Sequence, residues 1–194
     1  GKVGIGTGTA VPTHLLTVAG HISASAITAS KVHIDTTDFG DLSFSYVASS
    51  SSDGTRVLNG GNNNNIVDYF NMMTTGNAAF FGDLSVDRYG TAAANNDTRT
   101  IHAGGHTGSG RVDTIDYSTT TSLGNFIDFG NLSVARFCPT GGGSSTRMLM
   151  AGGEESSRVN TIEFIQFSTL GNAVDFGDLP SISEFAGSVS DGVR

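Results

Sequence analysis

Tryptophan is absent, proline occurs three times, and the chain has a single cysteine, Cys138. One cysteine excludes an internal disulfide and a zinc site built on several thiolates. Charge is scarce as well: Asp, Glu, Lys and Arg make up 14% of the residues. The 10 Lys and Arg are scattered against 18 acids, for a net charge of −8. Phosphate recognition calls for clustered cations, so nucleic acid is not an expected partner. No run of 18 apolar residues occurs, which leaves no candidate membrane span, and no basic-then-apolar signal segment stands out. So little charge beside 12 Phe also argues against an extended disordered chain.

What is abundant is glycine, 27 residues in 194, with much Ser, Thr and Asn. Such a composition favours short strands joined by tight turns over helices. It is also periodic. The stretch "DFGDLS" from Asp38 returns as "FFGDLS" from Phe80, "DFGNLS" from Asp128 and "DFGDLP" from Asp175. Its aromatic falls at Phe39, Phe81, Phe129 and Phe176, at spacings of 42, 48 and 47. Arginines follow 17 or 18 residues later, at Arg56, Arg99, Arg147 and Arg194. Double glycines close at Gly61, Gly105 and Gly153. An acid, Asp68, Asp116 or Glu163, lies 13 residues before the next phenylalanine each time, with a Gly-Asn pair between them at Gly76, Gly124 and Gly171. Five markers in fixed order define a repeat.

Each unit reads as four short strands. One includes "SVDRYGTAA" or "SVARFCPTG", the next is "RTIHAG" or "RMLMAG", the third "VDTIDYST" or "VNTIEFIQF", and the last "NFIDFG" or "NAVDFG". The first unit is shorter between its double glycine and its acid, so that stretch is expected to be a loop. Four strands in about 45 residues is the spacing of a β-propeller blade. A blade must stack on a neighbour, so the repeated phenylalanine is expected to plug each inter-blade slot. The glycine beside it is expected to permit a turn, and the following Leu to add a second plug.

The arginines Arg88 and Arg136, the strand ending in Gly-Gly, the aromatics Tyr69, Tyr117 and Phe164, and the large aromatic of the last strand together resemble the Kelch repeat. The resemblance covers residues 31–194. It departs from the family pattern in placing Phe81, Phe129 and Phe176 where Trp is usual. It implies an all-β, Kelch-like β-propeller: about three complete four-stranded blades plus part of a fourth. The chain begins with Gly1 and stops at Arg194 within a unit, which reads as a fragment. Closure is then expected to draw on further blades or on other copies of the chain. The lead-in "KVHIDTTDFGD" reads as a lone last strand that completes a blade begun at the other terminus.

Residues 1–30 carry no repeat marker. Val3 to Thr7, Pro12 and the alternating Leu16 to Ala24 are similar to a segment of bacteriophage tail-fibre proteins, which implies an N-terminal β arm of the kind that forms intertwined homotrimers. The plainer alternative is a Gly/Thr linker.

Chemistry-bearing residues are few. His102 and His106 flank a double glycine, but the matching positions in other units are Asn59 and Asn63, or Met150 and Glu154, so no histidine ring forms. The recurring Asp38, Asp41, Asp83, Asp128, Asp175 and Asp178 read as turn caps, since one active site needs no copy in every unit. The repeated arginines are expected to pair with them. "GGNNNN" from Gly60 reads as a polar turn, and Cys138 as a small buried hydrophobe. No catalytic, cofactor-binding or metal-binding residue is assigned, no cofactor is expected, and no binding residue is singled out. The expected function is that of a non-enzymatic virion or appendage protein, located on a virion or outside the cell, whose propeller loops bind a host-surface protein or glycan. The alternatives are a cellular Kelch-type interaction scaffold, or a propeller enzyme whose active blade lies outside this chain.

Overall fold

The computed structural model describes residues 38–43 and 49–190, all within one compact unit, Asp38–Arg194. The arm at 1–30, residues 31–37 of the lead-in and the marker Arg194 lie outside the described residues, and the described end of the lead-in, Asp38–Asp41, is not in a strand.

Among the described residues there are twelve strands and no helix. The first sheet is β1 (Ser49–Ser52), β2 (Arg56–Gly60), β3 (Asn62–Asn71) and β4 (Ala79–Tyr89). The second is β5 (Ala92–Asn95), β6 (Arg99–Ala103), β7 (Thr114–Thr119) and β8 (Ile127–Asn131). The third is β9 (Thr140–Gly143), β10 (Arg147–Ala151), β11 (Thr161–Gln166) and β12 (Val174–Asp178). Each sheet is an antiparallel meander with its strands in sequence order, and none is closed. The short turns between first and second strands are held by a side chain in each sheet. Asp53 Oδ1 accepts from the Arg56 amide at 2.6 Å, Asn96 Oδ1 from the Arg99 amide at 2.8 Å and Ser144 Oγ from the Arg147 amide at 3.1 Å.

Two readings of strand boundaries change. Ser85–Tyr89 continue β4 and do not open a new strand, because the break comes at Gly90-Thr91. "GGNNNN" is not a turn, and the shorter stretch of the first unit is not a loop: Asn62 to Asn65 run into the long strand β3. The longer second and third units insert loops at this place, 104–113 and 152–160.

Between the first and second sheets a core holds Leu58, Val67, Phe81 and Leu84 against Phe126, with Tyr69 at its margin. Between the second and third, Ile101, Ile115, Phe129 and Leu132 pack on Met148, Met150, Ile165 and Phe167. The repeated phenylalanine is therefore an inter-sheet plug where a following sheet exists: Phe81 is 1% and Phe129 3% exposed. At the two ends Phe39 and Phe176 stay exposed, at 41% and 53%.

Backbone contacts complete each seam. The Phe81 carbonyl accepts from the Gly124 amide at 3.0 Å, and Asn125 Oδ1 accepts from the Asp83 amide at 3.1 Å. The same pair recurs at Phe129–Gly171 and Asn131–Asn172, and again at Phe39–Gly76 and Asp41–Asn77. The glycine after each phenylalanine serves this approach rather than a turn. A Cβ on Gly40, Gly82 or Gly130 would lie 2.1–2.3 Å from the carbonyl oxygen of Gly76, Gly124 or Gly171. The first strands also lie against one another. Strand β1 adjoins β5 and β5 adjoins β9, where a Cβ on Gly141 would meet the Ala93 backbone at 2.8 Å; Ser51 Oγ of β1 also lies 3.1 Å from Thr100 Oγ1 of β6.

Candidate functional site

Among the described residues, Arg56, Arg99 and Arg147 are not bound to the recurring aspartates; Arg56 instead lies 3.8 Å from Asp53 of its own turn. Arg56 and Arg99 stack over Tyr69 and Tyr117, and each donates across a seam, to the carbonyls of Thr120 and Phe167 respectively. Arg147 stacks over Phe164 at 5.0 Å. Two fully buried arginines meet acids, Arg88 and Arg136, both 0% exposed. Arg88 Nη2 donates to Asp116 Oδ2 of the next sheet at 2.9 Å, and to the His102 carbonyl at 3.2 Å. Arg136 makes the equivalent ion pair with Glu163 and donates to the carbonyls of Gly152 and Thr161. Ser85 and Ser133 add amide donors to the same carboxylates, at 3.0 and 2.9 Å.

A β-bulge lies opposite each of these acids, in the last strand of the sheet. The strand register shifts between Val67 and Asp68, between Ile115 and Asp116, and between Ile162 and Glu163. The extra residue is the phenylalanine of the last strand, Phe81, Phe129 or Phe176, so the bulge re-aims that ring, while the acid's strand keeps regular register with the second strand. Ile115 joins the core shared with the third sheet, while Asp116 meets Arg88 of the first. Asp68 is 3% exposed, its Oδ2 has no hydrogen-bond partner among the described residues, and burial raises its pKa.

His102 is enclosed in the first seam. Its Nδ1 lies 3.1 Å from Ser49 Oγ and 3.2 Å from Thr91 Oγ1, and its ring packs edge-on against Phe126. Burial, and then the Arg88 charge, push its pKa down to about 3, so the ring is neutral at ordinary pH. His106 sits elsewhere, in the loop after the double glycine, bridged to Tyr89 and to Arg111. Cys138 is buried with φ at 51°, at the position where the previous unit has Gly90, and burial pushes its pKa up to about 12.

Accessible chemistry gathers where the inserted loops meet. Arg111 of the second sheet's loop pairs with Glu154 of the third sheet's loop at 2.5 Å, and Arg158 pairs with Glu184 at 2.5 Å. A row of rings runs beside them: Tyr89 and Phe137 have centroids 5.2 Å apart, and Phe137 and Phe185 5.6 Å. An open cavity of about 450 Å³ lies at Glu154, Ser157, Arg158, Ile182 and Glu184. A larger one, about 480 Å³, follows the ends of the first strands and is walled by small polar residues such as Ser52, Asn96 and Ser144. Among the described residues no three His, Cys, Asp or Glu side chains gather in a metal-holding group, and no helix is long and apolar enough to cross a membrane.

Sequence reading singled out Arg88 and Arg136 only through the resemblance, and did not foresee their partners. For the loop cluster at Arg111, Glu154, Arg158 and Glu184 the sequence offers one signal, the length difference between units. Of the recurring aspartates, Asp38 caps a turn, accepting from the Gly40 amide at 3.2 Å. The turns between first and second strands use Asp53, Asn96 and Ser144 instead. Compared with known proteins, the chain matches no family model and no curated protein.

Proposed function

We propose that this chain is a non-enzymatic, Kelch-like β-propeller module of a virion or other extracellular appendage, and that its inserted loops bind a host-surface glycan or protein. One observation carries the architecture: successive four-stranded sheets meet through a single seam used over and over. A plugging phenylalanine, a Gly-Asn turn docked on the preceding last strand, a buried arginine–acid pair and adjacent first strands recur in register. Sheets stacked this way, with first strands side by side, form the blades of a propeller, which closes with about four to eight of them. Further sheets complete the ring.

The binding surface is the loop end. Exposed Arg158 and Phe185, beside an open cavity, combine charge, hydrogen-bonding capacity and an aromatic face. Loops on a rigid sheet scaffold are where recognition residues concentrate. The appendage assignment rests on the resemblance of residues 1–30 to tail-fibre segments. The test is binding of the chain to a glycan array and to bacterial cells, compared with Arg158→Ala and Phe185→Ala. Retained ligand on the parent and loss on both variants supports the reading. No binding by a chain whose β fold is verified, or binding indifferent to both substitutions, refutes it. Capture of a protein without any glycan, undiminished by removal of residues 1–30, would instead identify a cellular scaffold.

A further inference from the structure

The third sheet ends in a face built like two that are already occupied. In the first sheet, Leu58, Val67 and Phe81 are buried by the second; in the second, Ile101, Ile115 and Phe129 are buried by the third. The corresponding residues of the third sheet are Leu149, Ile162 and Phe176, and they line an open slot of about 660 Å³. Nothing lies within 4 Å of a Cβ placed on Gly177, whereas the equivalent Gly40, Gly82 and Gly130 each touch a Gly-Asn turn. Arg147 is stacked on Phe164 as Arg56 and Arg99 are on their tyrosines, and it is exposed.

The sequence says what fits there. Asp38 to Leu42 and Asp175 to Leu179 are the same pentapeptide, "DFGDL". The first copy covers the Gly76-Asn77 turn of the first sheet through the Phe39 carbonyl and the Asp41 amide, while Phe39 and Leu42 remain exposed. We infer that a second copy of this chain docks head to tail, its first sheet seated on the third sheet of its partner. There the Asp175–Leu179 segment of one molecule replaces the Asp38–Leu42 segment of the other on Gly76-Asn77. The hydrogen bonds exchanged are like for like. The net gain is the rest of the third-sheet face, Leu149, Ile162 and Arg147, which a lone segment cannot supply. The incoming β1 takes the place beside β9 that Ser188 now holds through its bond to the Gly141 carbonyl. The contact is heterologous; made twice, once at each free face, it closes two molecules into a symmetric pair of six sheets, within the range of closed propellers. This inference uses the seam geometry alone and is independent of any ligand at the loops.

Sedimentation velocity on the full chain tests it, because two substitutions act in opposite directions. Phe176→Ser removes the plug from the docking face and is expected to weaken self-association about tenfold or more. Phe39→Ser weakens only the segment that must leave, and is expected to strengthen it. Both side chains are half exposed, so neither substitution threatens the fold. Mixing Asn77→Cys protein with Asp178→Cys protein should also give an oxidised heterodimer that neither gives alone. Association weakened equally by both serine substitutions would mean nonspecific apolar adhesion and overturn the inference. Wild-type and Phe39→Ser proteins that both stay monomeric would overturn it as well, and leave the face to a further sheet of the repeat.

Discussion

His102 makes the first seam sensitive to acid in a way that can be worked through. The ring is 0% exposed and its pKa lies near 3, far below the ordinary 6.5. Arg88 donates to the His102 carbonyl, and Asp116 lies opposite His102 across β6 and β7. Neither group can leave to accommodate a second cation. Between about pH 3 and 6.5 the unfolded chain binds a proton at this residue and the folded chain does not. The stability associated with the neutral ring is therefore complete above pH 6.5 and is lost as pH falls toward 3. At pH 4.5 the deficit spans two pH units at about 1.4 kcal/mol each, roughly 3 kcal/mol. For a chain of this size that corresponds to about 6–12 °C in melting temperature. The informative variant is His102→Met, since Met150 occupies the same register in the third sheet and is likewise 0% exposed. Ser49 and Thr91 keep each other as partners, with their hydroxyls 2.5 Å apart. The assay is thermal and urea unfolding of both proteins at pH 7.5 and 4.5. The expected outcome is that the acid-induced loss shrinks by roughly 3 kcal/mol in the variant, with modest change at pH 7.5. Groups common to both proteins cancel in that difference. An equal acid-induced loss in the two proteins would refute the reasoning.

Other consequences follow from the seams. Phe129→Ala empties the core between the second and third sheets and is expected to cost about 3–5 kcal/mol; melting within about a degree of the parent would contradict its role as a plug. Arg88→Ala strands Asp116 in a buried site and should destabilise by about 3–5 kcal/mol, whereas the double change Arg88→Met with Asp116→Leu should recover much of that in urea unfolding. Asp68 has a pKa raised by burial, so its contribution is favourable below pH 3.8 and declines as pH rises through the folded value. Asp68→Asn is therefore expected to raise the melting temperature at pH 7, with the advantage vanishing in acid.

The strand content, the four-strand unit and the phenylalanine plugs were legible because each depends on local periodicity and on repetition at fixed spacing. Phe81 and Phe129 behave as their repetition implied. The expected pairing of Arg56, Arg99 and Arg147 with the motif aspartates did not appear, and the reason is geometric. These arginines open second strands, where the aromatic of the adjacent third strand lies within reach, 4.8 Å for Arg99 over Tyr117. The acids meet a different arginine across the seam between sheets, Arg88 of the first sheet for Asp116 of the second, and a pairing between sheets leaves no trace in the alternation pattern of one strand. The loop cluster was hidden for another reason. Arg111 and Glu154 lie 43 residues apart, in loops that resemble each other little, and only the stacking of two sheets brings them together.

By itself the sequence determined the repeat and its strands. It also marked the residues that must be covered, because a strand pattern depends on neighbours along the chain. The tertiary structure alone decided which sheet covers which, so identical "DFGDL" segments and their near copies end in different states. Phe81 and Phe129 are buried because a following sheet lies against them, and Phe176 is exposed because its slot stands open. Burial belongs to the pair of surfaces in contact, and a single strand's sequence specifies only one of them.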